Sequence, residues 1–300
     1  MIKHIKIAIP WWLKIGAKIV LARLPVPYAL WKRAGLFEHG DMNRPQRALE
    51  NFLQHAIAAG ALEGEGAASH LRTNGEYAVL ELGPGDALFT AVIARALGAS
   101  KIWLVDQGSY VAMDMRPYAQ LIGYLEQLGF SMDFAKGQQT MMELLKECAA
   151  DYLTDGVHAL ARIPSESVDY CFSNAVLEHI PKGDFKLLAA ELRRVMKPDG
   201  VSIHRVDLKD HLGGRLNNLR FSTATWEGDV FRRSGFYTNR IRFNEMIAVF
   251  EEAGFDCQLC RVTRWNALPT PRAKLNEAFQ HLPDDDLFVS GFDVTLHRKG

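Results

Sequence analysis

The segment Glu81-Leu82-Gly83-Pro84-Gly85-Asp86 ends a short apolar run, Tyr77–Leu82, and opens into a helical pattern. Glycines at such a bend let the backbone approach a bound molecule closely, and the start of the following helix leaves N–H groups free to meet polar atoms. Asp106 follows 23 residues after Gly83, at the end of the next apolar run, Lys101–Val105. A carboxylate in that place can accept hydrogen bonds from a ribose diol. A dinucleotide fingerprint calls for a third glycine at position 88, which holds Leu88. Without it the helix cannot pack as close to the strand, and the case for a pyrophosphate cradle weakens.

Two further clusters bear chemistry. Val168–Phe172 is an apolar strand that runs into the polar turn Ser173-Asn174 and on to Glu178-His179. His179 is a candidate general base; its structural alternative is a histidine that packs or caps the helix start. His204, Asp207, Asp210 and His211 fall within eight residues. They suit a base at His211 or His204 oriented by Asp207, a divalent-metal site, or solvated loop residues. Beyond them, residues 208–243 are rich in Gly, Asn, Arg and aromatic residues, among them Asn217, Arg220, Trp226, Tyr237 and Arg240. A segment this long between sheet elements is usually functional, and it reads as a lid that stacks on rings and hydrogen-bonds hydroxyls or phosphate.

The elements that must position these residues alternate. Helical spacing from Pro45 to Ala59 precedes a Gly/Ala/Glu-rich stretch, 60–75, that reads as a linker. Strands are expected at 77–82, 101–105, near 152–153, at 168–172, 201–206, 256–262 and 288–297. Between them lie helices at 87–97, from 117 to 129, at 141–150, from an Asp184 cap to Met196, and at 244–253. Alternation with continuously apolar strands predicts an α/β fold: a mainly parallel sheet with helices on both faces.

Taken together, E-L-G-P-G-D, the acid closing the second strand, S-N-A-V-L-E-H-I after the fourth, and K-P-D-G-V before the fifth resemble class I S-adenosylmethionine-dependent methyltransferases. The resemblance is close over 77–207 and does not reach the N-terminus. It implies a Rossmann-like, seven-stranded, mostly parallel sheet and S-adenosylmethionine as cofactor. Carried onto this chain, Gly83 and Gly85 line the methionine moiety and Glu81 orients that turn. Asp106 holds the ribose hydroxyls, Gln107 lies beside the adenine, and Asp155 occupies an adenine-facing position or is an ordinary turn residue. Ser173 and Asn174 face the cofactor, while His179, His211 and Asp207 are the catalytic candidates, with no metal assigned. Nucleobase amino-methyltransferases carry Pro-Pro-aromatic after their acidic or Asn residue; here Asn174 precedes Ala175-Val176, so the resemblance points to a small-molecule acceptor rather than nucleic acid. Other readings of the same sheet are a nicotinamide-dependent oxidoreductase and a non-catalytic cofactor-binding subunit.

The chain of 300 residues carries 35 basic and 35 acidic side chains, so no global field favours nucleic acid. A hydrophobic fraction of 48% excludes disorder. Residues 1–37 hold no Asp or Glu but seven basic residues, Lys3, Lys6, Lys14, Lys18, Arg23, Lys32 and Arg33, interleaved with Trp11, Trp12 and Trp31. Those charges break any membrane span and leave two readings: cap helices packed on the domain, or a basic-aromatic helix making peripheral contact with an anionic membrane. Four scattered cysteines, with Cys257 and Cys260 as a lone C-x-x-C, suggest reduced thiols and a cytoplasmic location. The expected division is a basic N-terminal helical cap and linker at 1–75 and a methyltransferase domain at 76–300, with 208–243 as a substrate-covering insertion. A sugar, a lipid-linked glycan or another amphipathic metabolite is the expected acceptor.

Overall fold

The computed structural model describes residues 10–13, 15, 16, 19, 44–64, 66, 69–72, 76–111 and 113–300. Apolar runs too short for helices become strands: β3 (Ala78–Leu82), β4 (Lys101–Val105) and β6 (Val168–Asn174) are buried on both faces, and β5 (Ala150–Leu153), at the sheet edge, is only partly buried. With β7 (Met196–Asp207), β8 (Phe255–Arg264) and β9 (Val289–Arg298) they form a seven-stranded sheet in the order β5-β4-β3-β6-β7-β9-β8. Every pair from β5 to β7 is parallel, and β9 runs antiparallel to both its neighbours. The chain leaves β3 toward β4 on one side and returns to add β6 on the other. That reversal opens a crevice at the carboxyl ends of β3 and β6.

Strand alternation sorts the two layers. On one face α1 (Pro45–Ala58), α2 (Phe89–Ala96), α3 (Arg116–Gln127) and α4 (Met141–Glu147) cover Val79, Ile102, Tyr170 and Phe172. On the other, α5 (Phe185–Val195) and α6 (Phe243–Glu252) cover Leu80, Cys171 and Val294. Proline in the first turn of α1 and α3 supplies a backbone angle already helical where its missing N–H costs nothing.

Several boundaries differ from expectation for tertiary reasons. The stretch read as a linker contains an antiparallel hairpin, β1 (Leu62–Glu63) with β2 (His70–Leu71). Leu71 is fully buried and its N–H donates to the carbonyl of Leu97, so this segment shares the main core. Strand β7 begins at Met196 and absorbs Lys197-Pro198-Asp199-Gly200, because Met196 pairs with Val168 across a register shift. Strand β5 starts two residues earlier than its apolar pattern suggests, drawn in by pairing with β4. Asp184 sits at the N-cap of α5, but its side chain makes no capping bond.

Trp11, Ile15 and Ile19 pack against Leu212, Trp226, Phe236 and Tyr237 of the 208–243 segment. Trp12 and Leu13 point outward, 59% and 50% exposed. The basic residues Lys3, Lys6, Arg23, Lys32 and Arg33, and Trp31, lie outside the described residues, as do the Lys14 and Lys18 side chains. No helix among the described residues is long and apolar enough to cross a membrane.

Helix α1 joins the sheet through Phe52, whose ring meets Tyr170 at 6.0 Å and Phe172 at 5.5 Å, both edge-on. Phe52→Ala is expected to lower unfolding free energy by about 3–5 kcal/mol, the cost of emptying a buried aromatic site. Urea titration reads this directly, and a loss under 1 kcal/mol, below about half the usual cost of any large core truncation, would mean that α1 is not part of the folded core.

Candidate active site

Two strand ends are tied together at the crevice. Gly83 has φ +71°, and a Cβ there would lie 2.4 Å from Cγ2 of Val176, so both the backbone angle and the space demand glycine. Gly85 has φ +70°, and nothing lies within 4 Å of where its Cβ would be, which leaves its backbone open to a ligand. The Gly85 N–H donates to Oδ2 of Asp106 at 2.9 Å, and the Gln107 N–H donates to Oδ1 at 2.7 Å. Beneath the turn, Glu81 is 7% exposed, and one carboxyl oxygen, Oε2, is buried without a partner. Burial pushes this carboxyl up to about 8, opposed by the Thr90 hydroxyl and reinforced by the charge of Asp106. At position 88 the N–H donates to the Tyr118 hydroxyl at 2.8 Å rather than facing the crevice, and Leu88 itself is 1% exposed.

Around Asp155, expected to face the adenine, the next strand end is also tied to Asp106. Asp155 is exposed and pairs with Arg162 at 3.0 Å. Its neighbour Gly156, at φ +56°, donates its N–H to the Asp106 carbonyl at 2.9 Å. A Cβ on Gly156 would lie 2.4 Å from Oε1 of Gln107, so the Gln107 amide folds over the glycine. Asn174 is half-buried at the end of β6. Ser173 faces inward: it is fully buried, and its hydroxyl meets Nδ1 of His204 at 2.8 Å. The other ring nitrogen of His204 meets the Ser202 hydroxyl at 2.6 Å, and burial pushes the imidazole down to about 3. His204 is therefore a neutral core residue, which corrects its candidacy as a base and moves the Ser173 side chain away from the cofactor crevice.

His179 and His211 come together, with ring centroids 4.9 Å apart. Nδ1 of His179 lies 3.0 Å from the Tyr237 carbonyl, which can only accept, so in the neutral ring Nδ1 carries the proton and Nε2 the lone pair. Asp207 accepts the Lys209 N–H at 2.9 Å and lies 3.4 Å from its ammonium. Asp210 takes the N–H groups of Leu212, Gly213 and Asn217, which commits it to shaping the loop rather than to a metal. The 208–243 segment is tied to this edge through Asn239: its N–H reaches the Glu178 carbonyl at 2.7 Å, and its amide reaches the Leu177 and Ile180 carbonyls.

Sequence reasoning gave Glu178 no role of its own and read Arg240 only as part of the lid, yet both are buried, at 2% and 6% exposure. Nothing in a run of mixed polar residues marks such side chains as buried. A separate cleft of about 520 Å³ opens at the other end of the sheet, lined by Tyr77, Asp169 and Lys197. It lies at the amino ends of β3, β6 and β7, away from the glycine turn.

Residues 80–204 match the family model of a methyltransferase domain. No curated protein matches the chain. Among solved structures it is similar to an S-adenosylmethionine-dependent methyltransferase from Mesorhizobium loti, at 14% identity over 76% of this chain and 94% of that one, with a TM-score of 0.41. A phosphoethanolamine N-methyltransferase from Haemonchus contortus shares 13% over 83% of this chain and 52% of its own, with a TM-score of 0.44. An rRNA methylase from Streptococcus thermophilus shares 13% over 83% and 95%, with a TM-score of 0.37. The strand order and the matched region define a methyltransferase fold. Residues 80–204 are thus a methyltransferase domain, the kind for which the motifs of this sequence imply S-adenosylmethionine as cofactor. The site fits that molecule: open backbone at Gly85, a carboxylate at the end of β4, and an orphaned buried carboxyl oxygen on Glu81 below.

Glu81 also sets a pH dependence. Its pKa is raised in the fold above the ordinary 4.5, so the stability of burying it is complete at low pH and is lost as pH climbs toward about 8. Glu178, likewise pushed up to about 8 by burial, has the same sign. The urea midpoint of the cofactor-free protein is expected to fall between about pH 5 and pH 8.5, with Glu81→Gln flattening the fall. An identical slope in the variant would refute the assignment.

Proposed function

We propose that this chain transfers the methyl group of S-adenosylmethionine to a small hydroxyl-bearing acceptor: a sugar, a lipid-linked glycan or another amphipathic metabolite. The observation that carries this reading is the convergence, at one sheet edge, of the Gly83–Gly85 turn clasped to Asp106 and a His179 ring with its tautomer fixed by Tyr237. Net charge of zero supports an acceptor other than nucleic acid. Residues 1–75 serve as a cap on the catalytic domain, 76–300, and 208–243 as its acceptor lid. Outward-facing Trp12 and Leu13, together with the basic N-terminal sequence, favour peripheral contact with an anionic membrane from the cytoplasmic side.

When bound, S-adenosylmethionine supplies an electrophilic methyl on a sulfonium sulfur. The protein must align it with the nucleophile and keep water out. Gly83 and Gly85 line the methionine moiety, over Glu81. Asp106 receives the ribose hydroxyls, and Gln107 flanks the adenine with Gly156 behind it. Asn174 closes the crevice at β6, and Asp155 braces the adenine-side turn through Arg162. His179 takes the acceptor proton on Nε2, while Tyr237 holds Nδ1–H in place. His211 packs against that ring, and Asp207 anchors the loop that carries His211 through Lys209. The lid, held by Asn239, excludes water.

Asp106→Ala is expected to weaken S-adenosylhomocysteine binding by about 1–3 kcal/mol, the worth of charge-assisted hydrogen bonds. Calorimetry showing unchanged affinity would dissociate Asp106 from the cofactor. His179→Ala should lower turnover by about 10²–10⁴ with cofactor affinity intact, the contribution of a positioned general base. Full turnover in that variant would exclude His179 as the base.

A further inference from the structure

Between the end of β7 and the 208–243 segment, next in the chain to His179, Glu178 helps line a small chamber of about 10 Å³ with Asp207, Asn218, Thr238 and Arg240 among others. Leu208, Leu219 and Ile241 make the rest of its walls apolar, and two polar atoms in it lack partners. Oε1 of Glu178 accepts the Asp207 N–H at 3.3 Å, whereas Oε2 is buried with no partner. On the lid, Nε of Arg240 is also buried with no partner. Both side chains are held in place. Glu178 follows β6 directly, in a 3-10 turn tied to the lid by the Asn239 N–H. Arg240 has φ +59°, an arginine in the left-handed region, and its Nη1 donates to the Phe221 carbonyl at 2.7 Å. Its guanidinium lies 5.4 Å from the centroid of Trp226 and 5.1 Å from that of Phe279. A strained backbone fixing a buried charge beside a catalytic edge is where functional geometry concentrates.

We infer that this chamber is a hydroxyl-recognition subsite of the acceptor pocket: one alcohol oxygen of the acceptor hydrogen-bonds with Oε2 of the Glu178 carboxyl and accepts from the Arg240 guanidinium. The inference rests on the methyl-transfer reading above and narrows its acceptor class. Size and chemistry both select the occupant. A space of about 10 Å³ admits a single oxygen, so a carboxylate or phosphate is too large. An ammonium group would meet the Arg240 charge away from water, and a methyl group would leave both orphaned atoms unpaired. A hydroxyl both donates and accepts, so it can pair with the Glu178 carboxyl in either protonation state while a lone pair takes the Arg240 N–H. The recognised hydroxyl is a neighbour of the one methylated, so the acceptor carries at least two hydroxyl groups.

The test uses methyl-labelled S-adenosylmethionine and a panel of hexopyranosides, inositols and alkyl glycosides, each beside its singly deoxygenated analogues. Wild-type protein is expected to methylate a polyhydroxylated member and to lose about 100-fold or more in kcat/KM when one hydroxyl other than the methylated one is removed, because the site is then left with unpaired buried groups. Glu178→Leu should invert that preference toward the deoxy analogue, and Glu178→Gln should raise KM for the hydroxylated member about tenfold, with S-adenosylhomocysteine affinity unchanged in both. Inversion is the outcome that a merely structural carboxyl would not give. The proposal is overturned if wild type tolerates every single deoxygenation, if no hydroxylated member is turned over while S-adenosylhomocysteine still binds, or if Glu178→Leu lowers both analogues equally, as a chamber holding only water would do. Should the Leu variant fail to fold, an unchanged KM in the Gln variant overturns it. Wild-type protein that binds no S-adenosylhomocysteine would instead sink the methyltransferase reading itself.

Discussion

The hydrogen bond from the Gly85 N–H to the Asp106 carboxylate joins the carboxyl ends of two adjacent parallel strands, and the rest of the site is arranged around it. It forms only because Gly83 turns the chain through a left-handed angle against Val176, a residue that arrives from β6. The turn, the acidic strand end and the segment after β6 are thus three sides of one contact. The parallel pairing of β3 with both β4 and β6 fixes their heights: Leu82 pairs with Val105 on one side and with Ser173 on the other. A sheet with β3 at its edge would keep the glycine turn and lose the crevice.

That edge concentrates ionisable groups in surroundings that oppose their charge. Glu81 and Glu178 are both buried, both pushed up to about 8, and each has one oxygen lacking a partner. In an ordinary core such groups would cost stability with no return. One lies under the glycine turn and the other against the 208–243 segment, each with a carboxyl oxygen left for a further hydrogen bond. His204, by contrast, has both ring nitrogens bonded to serine hydroxyls and asks for nothing further.

The lid is built as an aromatic knot. Trp226 sits at its centre, fully buried, with Phe221, Phe231, Phe236 and Tyr237 around it and its indole N–H on the Thr238 carbonyl. Trp11 adds a ring from the N-terminal side, edge-on to Phe221 at 6.1 Å and beneath the guanidinium of Arg220 at 5.1 Å. The described N-terminal residues and the 208–243 segment therefore share one hydrophobic cluster.

The sequence alone determined the strand–helix alternation, the glycine bend and the acid that follows it, because each depends on local pattern: apolar runs of strand length, a residue able to take positive φ, and a fixed chain distance between them. It also placed His179 and His211 among the chemical candidates, although 32 residues separate them. Only the tertiary structure decided which polar residues are enclosed. Ser173 and His204 lie at register partners on β6 and β7, so pairing turned two apparent site residues into a core hydrogen bond. Glu178 and Arg240 were brought together when the lid folded back over the sheet edge, and Leu71 was buried when a glycine-rich stretch closed as a hairpin. Burial is a property of what packs from elsewhere in the chain, and no periodicity within a short polar segment records it.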